Sequence, residues 1–241
     1  MQKSLQSMQS CKSLEGRIKR VERIEGEMIP GELFFKMTTD PYQVYVYNYS
    51  PNEGAEVLYK TGWNNGKLHI YPNKFPYVNV NFDPFSNMIM KGKHHSVHDV
   101  GFTYTKGVVE HLLEKYGEDF SQYVSLKEDV SYRGKGCYQV HIDYPNYGFE
   151  DYTVEEGDDL AKIDRKLKVP AYKILELNDG IRNYFDVKAG EVIRVPNVYA
   201  KKVVFFIDKE QHLPLVQMVF DEEGLFERYE YVRIDYNHPF D

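Results

Sequence analysis

The chain has 241 residues, with 30 basic and 37 acidic side chains that give a formal charge of −7. This length is enough to bury a sizeable core as one large domain or two small ones. The acidic balance and the lack of a long basic run argue against nucleic-acid binding through phosphates, and no apolar run approaches the about 20 residues of a membrane-spanning helix. Tyr is unusually frequent, with 21 residues against 14 Phe and 1 Trp. Because Tyr suits a half-wet pleated surface, the composition favours β structure.

The first third of the chain predicts a short helix and then an antiparallel meander. Leu5, Met8 and Cys11 follow helical spacing within residues 1–14. Runs rich in β-branched and aromatic residues follow, separated by turn residues. These runs are 31–39, 42–49, 56–63, 67–71 and 77–82. The Asn65-Gly66 step between two of them is typical of a type I′ hairpin turn.

Residues 14–26 are ambiguous between two structures. Ile18, Val21 and Ile24 recur at three-residue spacing, so a bulged strand and a helix both fit. The same stretch carries a short basic strip interleaved with glutamates, namely Arg17, Lys19, Arg20 and Arg23. We interpret this strip as a solvated face, and a contact with anionic lipid is the alternative.

The remaining chain predicts one amphipathic helix and further strands. In residues 100–117 the apolar positions Val108, Val109 and Leu112 form one face, and Gly117 closes the helix at the C′ position. A further turn is expected immediately after it. Strands are predicted at 136–144, 202–208, 214–220 and 225–236, with a hairpin turn at 221–224 between the last two.

Residues 152–196 differ from their surroundings, because they predict a strand, two helices and a strand. Asp158 or Asp159 is placed to cap the first helix, and Pro170 to begin the second. The apolar positions of the two helices recur at helical spacing. These positions are Leu160, Ile163 and Leu167 in the first helix, and Ile174, Leu175 and Leu177 in the second.

This segment resembles a LysM domain over its whole length. The resembling residues are Tyr152-Thr153-Val154, Gly157-Asp158, Leu160, Ile163, Val169, Leu175, Leu177-Asn178, Ala189-Gly190 and Val195-Pro196. The resemblance implies a βααβ unit that binds N-acetylglucosamine-containing glycans in a groove between two loops. By position, the groove would be formed by Gly157, Asp158, Asp159 and Leu160, facing Asn178, Asp179, Gly180 and Ile181. Asp159, Asp164 and Lys168 depart from the usual family residues, which are Thr or Ser, Ala, and Gly.

The flanking parts, residues 1–151 and 197–241, are expected to form one discontinuous domain around this insertion. They resemble the LolA-like architecture and, more narrowly, a domain-of-unknown-function family with that fold. The resembling motifs are Glu22–Gly26, Pro41 with Val44-Tyr45, Gly54–Tyr59, Asp83-Pro84, His94–Val97, Gly101-Phe102 and Asp221–Leu225. The resemblance implies an α+β fold in which a curved antiparallel half-barrel wraps helices, a hydrophobic concavity, and location in the bacterial envelope.

Cys11 and Cys137 are the two cysteines of the chain. They cannot form a tetrahedral zinc site alone. Their spacing leaves open a long-range disulfide in an exported protein and two buried thiols in a cytosolic one. The envelope context implied by the resemblance favours the disulfide, which would join the first helix to a late strand.

A histidine cluster is the sharpest candidate for chemistry outside residues 152–196. His94, His95 and His98 lie within five residues, and imidazoles bind zinc, with Asp99 or Asp83 as a further oxygen ligand. His94 and His98 share a face in a helix or a strand. The alternative is a loop in which one histidine is hydrogen-bonded and the others are solvated. No Gly-x-Ser-x-Gly or phosphate-binding glycine motif is present.

The sequence therefore predicts a non-enzymatic binding protein of the bacterial periplasm or outer envelope, without a cofactor. Residues 152–196 would bind peptidoglycan or a similar glycan, and the half-barrel would bind a lipid, a lipoprotein or another hydrophobic ligand. Residues 1–14 are polar and lack the apolar core of a signal peptide, so the location depends on the resemblance. Two alternatives stay open: a protein-interaction scaffold, and a metal-dependent hydrolase that uses the histidine cluster.

Overall fold

The computed structural model describes residues 1–237 and 240, and within them the chain forms helices and strands in the following order. The helices are α1 (Gln2–Ser10), α2 (Asn87–Met90), α3 (Thr103–Tyr116), α4 (Leu160–Leu167) and α5 (Ala171–Glu176). The strands are β1 (Ser13–Ile24), β2 (Glu27–Thr39), β3 (Tyr42–Ser50), β4 (Glu56–Lys60), β5 (Leu68–Tyr71), β6 (Val80–Phe82), β7 (Val124–Tyr132), β8 (Lys135–Asp143), β9 (Phe149–Thr153), β10 (Val192–Pro196), β11 (Lys202–Asp208), β12 (Pro214–Asp221) and β13 (Gly224–Tyr236).

Eleven of the described strands form one open antiparallel sheet. Their order is β6-β5-β4-β3-β2-β1-β13-β12-β11-β8-β7, so the N-terminal meander joins the C-terminal strands through β1 and β13. Strands β9 and β10 pair only with each other in the described part of the chain. The predicted antiparallel sheet with a few helices is confirmed.

The large sheet is strongly curved. One cavity of about 180 Å³ is lined by side chains from β1, β2, β3, β4, β5, β12 and β13. In a flat sheet, β5 and β12 would be separated by six inter-strand spacings, or about 29 Å. Side chains that far apart cannot line so small a cavity. The sheet therefore wraps around it as a half-barrel.

Alternation along the strands decides where the tyrosines lie. On β3, Val44 and Val46 are buried, whereas Tyr45, Tyr47 and Tyr49 point to the opposite face and are more exposed. On β13, by contrast, Tyr229 and Tyr231 line the cavity. The tyrosines therefore cover the outer surface and also form part of the inner wall.

Helix α3 covers the other half of the concave face. Its residues Tyr104, Val108, Val109 and Leu112 are buried in a core shared with β8, β11 and β12. Gly117 follows the helix with φ of +53°, as its predicted C′ position requires. No helix in the described residues is long and apolar enough to cross a bilayer.

The structure resolves one ambiguity of the sequence and adds one strand that the sequence did not predict. Residues 14–26 form strand β1 up to Ile24 and pair with both β2 and β13. The sequence missed β7, because Ser125, Leu126, Lys127 and their neighbours are exposed on an edge strand and show no apolar alternation. An edge strand needs one partner only, and β8 supplies it.

The interpretation of the basic strip as a solvated face is wrong for two of its members. Arg17 and Lys19 are partly or fully exposed, but the side chains of Arg20 and Arg23 retain 14% and 7% exposure. Each of these two arginines is paired with a buried carboxylate, which accounts for its burial. The strip is therefore divided between exposed and buried positions.

The predicted disulfide is also wrong, because both cysteines are free and buried. Cys11 ends α1, and its thiol donates a hydrogen bond to the carbonyl of Ser7. Cys137 lies on β8, which is separated from β1 by three strands of the sheet. A disulfide requires Cα atoms less than about 7 Å apart, and three intervening strands exceed that distance.

The chain leaves the large sheet between two neighbouring strands, β8 and β11. In this excursion, β9, α4, α5 and β10 form what we call the βααβ segment, residues 149–196. The strand–helix–helix–strand order predicted for residues 152–196 is found. Its core includes Met90 of α2, with Phe85 packed against it, so the segment shares apolar contacts with the rest of the protein.

We expect Lys168→Gly to stabilise the protein. Lys168 ends α4 in the left-handed conformation, with φ of +56° and ψ of +46°, where a Cβ atom is unfavourable. Glycine should raise the free energy of unfolding by about 1 kcal/mol, measured by urea denaturation. Lys168→Ala keeps the Cβ and removes the amine, so it should give no such gain. An equal gain in both variants would show that the amine, and not the backbone conformation, is responsible.

Candidate functional site

The cavity inside the half-barrel is the first candidate site. Its volume is about 180 Å³, slightly more than the about 150 Å³ that suffices to hold benzene in an engineered protein cavity. One part of its wall is apolar and comes from β1 to β5 and α2. These residues are Ile18, Leu33, Val46, Val57, Leu68, Ile70 and Ile89. The cavity therefore offers an apolar chamber of the size of a small hydrophobic group.

The wall becomes charged along β1. Ile18, Arg20 and Glu22 alternate on this strand and all line the cavity, because residues two apart share a face. The opposite polar wall comes from the chain between α2 and α3. It includes Lys93, His95, Ser96 and Asp99, and the start of α3 adds Tyr104 and Thr105. The cavity thus has an apolar part and a charged part.

Two buried carboxylates face each other at the charged end. Glu22 and Glu227 are directly paired in the register of β1 and β13, and they retain 1% and 0% exposure. Like charges at opposing positions are unfavourable unless each is compensated. Glu22 is compensated by an ion pair with Arg20 and by a hydrogen bond from the hydroxyl of Tyr229.

Glu227 is compensated by two histidines and a tyrosine. Its Oε2 lies 2.9 Å from Nδ1 of His94 and 3.1 Å from Nε2 of His95, and its Oε1 accepts a 2.9 Å bond from Tyr199. Burial alone would raise the pKa of Glu227. The charge of His95 and the hydrogen bonds from both histidines instead hold that pKa far below its usual range. Glu227 is therefore an ionised carboxylate in the protein interior.

His94 is fixed by contacts at both ring nitrogens and on both faces of its ring. Its Nε2 donates a 2.9 Å hydrogen bond to the carbonyl of Arg23, and its ring stacks between Phe226 and Tyr172 at 4.1 and 4.5 Å. Both ring nitrogens are thus engaged. This arrangement fixes the chain segment that follows α2 against β1 and β13.

His95 bridges two acids. Besides Glu227, its Nδ1 lies 3.5 Å from Oδ2 of Asp99, which also accepts a hydrogen bond from the backbone N–H of Ser96. Burial would lower the pKa of His95, but the charge of Glu227 and the hydrogen bonds with both acids raise it to about 10. His95 is therefore positively charged at neutral pH.

The structure separates the three histidines that the sequence grouped as potential metal ligands. His94 and His95 meet at Glu227, whereas His98 packs against Phe85 and Tyr59, at ring distances of 5.8 and 4.6 Å. The ligand atoms that converge instead belong to Glu22, His94 and Glu227, which lie within 4.8 Å of one another. Glu22 pairs with Arg20, and Glu227 pairs with His94 and accepts a hydrogen bond from Tyr199. The negative charges of the two carboxylates are therefore compensated without a metal ion.

Lys93 is the contrasting member of the wall. Burial and the nearby charge of Arg20 lower the pKa of its ammonium group to about 8. Within the described residues, no carboxylate lies in ion-pair range of Lys93, whereas Arg20, His95 and Asp99 each have a partner of opposite charge. Lys93 therefore contributes an uncompensated positive charge to the cavity.

Buried polar contacts join the βααβ segment to the half-barrel. Arg165 pairs with Asp99 and lies 4.6 Å above the ring of Tyr104, whose hydroxyl donates a 2.8 Å bond to Asp164. Lys173 is 3.0 Å from Asp221 on β12. Asp164, which departs from the LysM pattern, thus serves as a contact to α3.

The eight residues assigned to a glycan groove fall into three groups. Leu160 and Ile181 are buried in the core of the βααβ segment, and Asp158, Asp159 and Asn178 bind neighbouring backbone groups. Gly157, Asp179 and Gly180 are exposed. The two loops do approach each other, because the N–H of Leu160 donates to the carbonyl of Tyr184.

Sequence reasoning missed the carboxylates on which the site depends. Glu22 belongs only to a motif of the family resemblance, and Glu227 carries no local motif. The histidine partners of Glu227 lie more than 130 positions away, and Tyr229, which donates to Glu22, lies on another strand. A signal was available on β1, since Arg20 and Glu22 continue the two-residue alternation of Leu14 and Ile18. That alternation places them on the inner face.

Comparison with known proteins gives one family and several distant structures. The family model described as Protein of unknown function (DUF1571) matches residues 11–174. Similar solved structures include an uncharacterized conserved protein from Thermus thermophilus (9% identity, TM-score 0.44, covering 99% of this chain and 88% of that one). Others are lipoprotein LppX from Mycobacterium tuberculosis (9%, 0.43, 100% and 94%) and a putative outer membrane lipoprotein-sorting protein domain from Vibrio parahaemolyticus (8%, 0.38, 100% and 92%). No curated protein matches the chain.

We expect stability to fall as the pH rises above neutrality. The folded state holds the His95 proton more tightly than the unfolded state does, since its pKa is raised from 6.5 to about 10. This contribution is complete below the unfolded pKa and is lost as the pH rises through the folded one. Between pH 6.5 and 9 we expect His95 to account for a loss of about 3 kcal/mol.

The test is urea unfolding at both pH values for the wild type, His95→Gln and His69→Gln. His95→Gln should flatten the pH dependence, and His69→Gln, a histidine on the outer side of β5, should retain it. Equal slopes in the wild type and His95→Gln would contradict the assignment.

Proposed function

Because the chain belongs to the DUF1571 family, whose function is unknown, we propose from its own geometry that it is a non-enzymatic binding protein that holds a hydrophobic ligand inside the half-barrel. The ligand class is a lipid, the acyl part of a lipoprotein, or a molecule of similar chemistry. The bacterial cell envelope, where such ligands occur, is the proposed location. This proposal also agrees with the LolA-like resemblance of residues 1–151 and 197–241.

The observation that carries the proposal is the apolar part of the cavity. Five neighbouring strands each turn at least one aliphatic side chain towards the same space of about 180 Å³, and these side chains do not fill it. Protein cores pack with few voids larger than a water molecule, so an unfilled apolar chamber is a binding site by default. Burial of a ligand's methylene groups would supply the free energy of binding, about 0.8 kcal/mol for each group.

The βααβ segment has a second proposed role, anchoring to N-acetylglucosamine-containing glycan. Two features support this role: the LysM resemblance of residues 152–196, and a strand–helix–helix–strand arrangement whose exposed loops include Gly157, Asp179 and Gly180. Backbone groups of exposed loop residues are suited to binding sugar hydroxyls. A protein-interaction scaffold is the alternative that applies if neither glycan nor hydrophobic ligand binds.

A metal-dependent hydrolase is the rival that Glu22, His94 and Glu227 raise through the proximity of their ligand atoms. We propose instead that these residues position the wall of the cavity, because each is already compensated by protein groups. Zinc analysis after extensive dialysis separates the two ideas. Stoichiometric zinc that disappears in His94→Ala would favour the hydrolase.

Filling the cavity should abolish binding of a neutral hydrophobic probe. Val57 of β4 lines the cavity, and its neighbour Leu58 points to the other face of the sheet. We expect Val57→Phe to weaken binding of 1-octanol, measured by titration calorimetry, at least about tenfold, or about 1.4 kcal/mol. Leu58→Phe adds the same ring on the outer face and should bind as the wild type does. If the wild type does not bind 1-octanol, or if Val57→Phe binds it equally well, the proposal is wrong.

For the glycan role we expect the protein to sediment with purified peptidoglycan and to be released by soluble N-acetylglucosamine oligomers. Gly180→Trp places a large ring in the exposed loop and should reduce the bound fraction several-fold. Ala189→Trp, at the exposed turn before β10, is the matched control and should sediment normally. If the wild type stays in the supernatant, the anchoring role fails and the scaffold alternative gains support.

A further inference from the structure

Lys93 is the feature of the cavity that the proposed function leaves unexplained. It lies between α2, which contributes Ile89 to the apolar wall, and His94, which is fixed by Glu227. Its side chain lines the cavity beside Arg20. Lys93 is therefore a partly buried residue of the cavity wall and not a freely solvated surface group.

The other charges of the wall are already compensated. Arg20 pairs with Glu22, His95 with Glu227, and Asp99 with Arg165. Among the described residues, Lys93 is thus the one charged member of the cavity wall without an opposite charge in ion-pair range. Lys93 lines the space where a ligand would lie.

An uncompensated ammonium group in a partly buried, largely apolar wall destabilises a folded protein. Uncompensated charges of this kind concentrate at binding sites, where a ligand supplies the missing partner. The missing partner is therefore expected on the ligand.

Building on the proposed function, we propose that the cavity selects single-chain amphipathic anions, with the acyl chain among Ile18, Leu33 and Ile70 and the anionic head group against Lys93. The head group is a carboxylate or a phosphate monoester, since both accept hydrogen bonds from an ammonium group.

The experiment compares four ligands with the same chain at neutral pH by titration calorimetry: octanoate, octyl phosphate, 1-octanol and octyltrimethylammonium. We expect the wild type to bind at least one of the two anions with an affinity about ten times that for 1-octanol, or higher. A charge-assisted hydrogen bond would supply the additional free energy of binding. The cation should bind most weakly. The relative affinity of octanoate and octyl phosphate identifies the head group.

Variants at Lys93 test its part in this preference. Lys93→Met keeps the length of the side chain without the charge. The affinity for the anions should therefore fall to that for 1-octanol, and the affinity for 1-octanol should not change. Lys93→Arg should keep the preference. The matched control is Lys91→Met, because Lys91 is exposed, does not line the cavity and lies two residues away. Lys93→Met should unfold at an equal or higher urea concentration than the wild type, since it removes an unpaired charge.

The outcomes separate the inference from the function on which it rests. If the wild type binds neither octanoate nor octyl phosphate more tightly than 1-octanol, or if Lys93→Met keeps the preference for anions, the head-group assignment is wrong and the hydrophobic binding function stands. If none of the four ligands binds, the proposed function itself fails. If the anions bind and Lys93→Met alone loses the preference, Lys93 determines specificity.

Discussion

A carboxylate with no solvent exposure, that of Glu227, is the constraint on which this structure depends. An ionised group cannot stay inside a protein without partners of opposite charge or several hydrogen-bond donors. Glu227 obtains them from His94, His95 and Tyr199, which come from two distant parts of the chain. Satisfying this one charge therefore fixes the loop after α2 and the connection between β10 and β11 against strand β13.

The consequence is a cavity with a defined shape and a defined polarity. Because His94 and His95 are fixed, the segment between α2 and α3 crosses the concave side of the sheet at one place, with Ile89 and Lys93 turned towards the interior. Asp99, at the far end of the segment, pairs with Arg165 and so joins the βααβ segment to the same network. The half-barrel, the crossing segment and the βααβ segment are thus connected by charge compensation as well as by apolar packing.

The sequence predicted the parts of this architecture that depend on local pattern. Alternating runs indicated β3 and β8, amphipathic spacing indicated α3, and the turn residues at 221–224 indicated the hairpin of β12 and β13. Strand β7 was not predicted, because an exposed edge strand needs no apolar face and so shows no apolar alternation. The helical spacing of Ile18, Val21 and Ile24 was misleading, since pairing with two neighbours decides the conformation of β1.

The site was less predictable, because its partners meet only through the order of strands in the sheet. Glu22 and Glu227 become neighbours when β1 pairs with β13, and no spacing in the sequence encodes that pairing. For the same reason the disulfide expected from the cellular context does not form: β8 and β1 are not adjacent. The histidine cluster indicated the correct segment. Its spacing predicted that His98 would share a site with His94 and His95, but in the structure their shared partner is Glu227, and His98 packs against Phe85.

The most direct test of the account is a crystal structure of the protein with 8-bromooctanoate, in which anomalous scattering locates the bromine. We predict a bromine peak inside the half-barrel among Ile18, Leu33 and Ile70, with the carboxylate beside Lys93. Bromine found only on the outer surface, or a cavity that stays without ligand at saturating concentration, would contradict the claim that the half-barrel is a binding chamber.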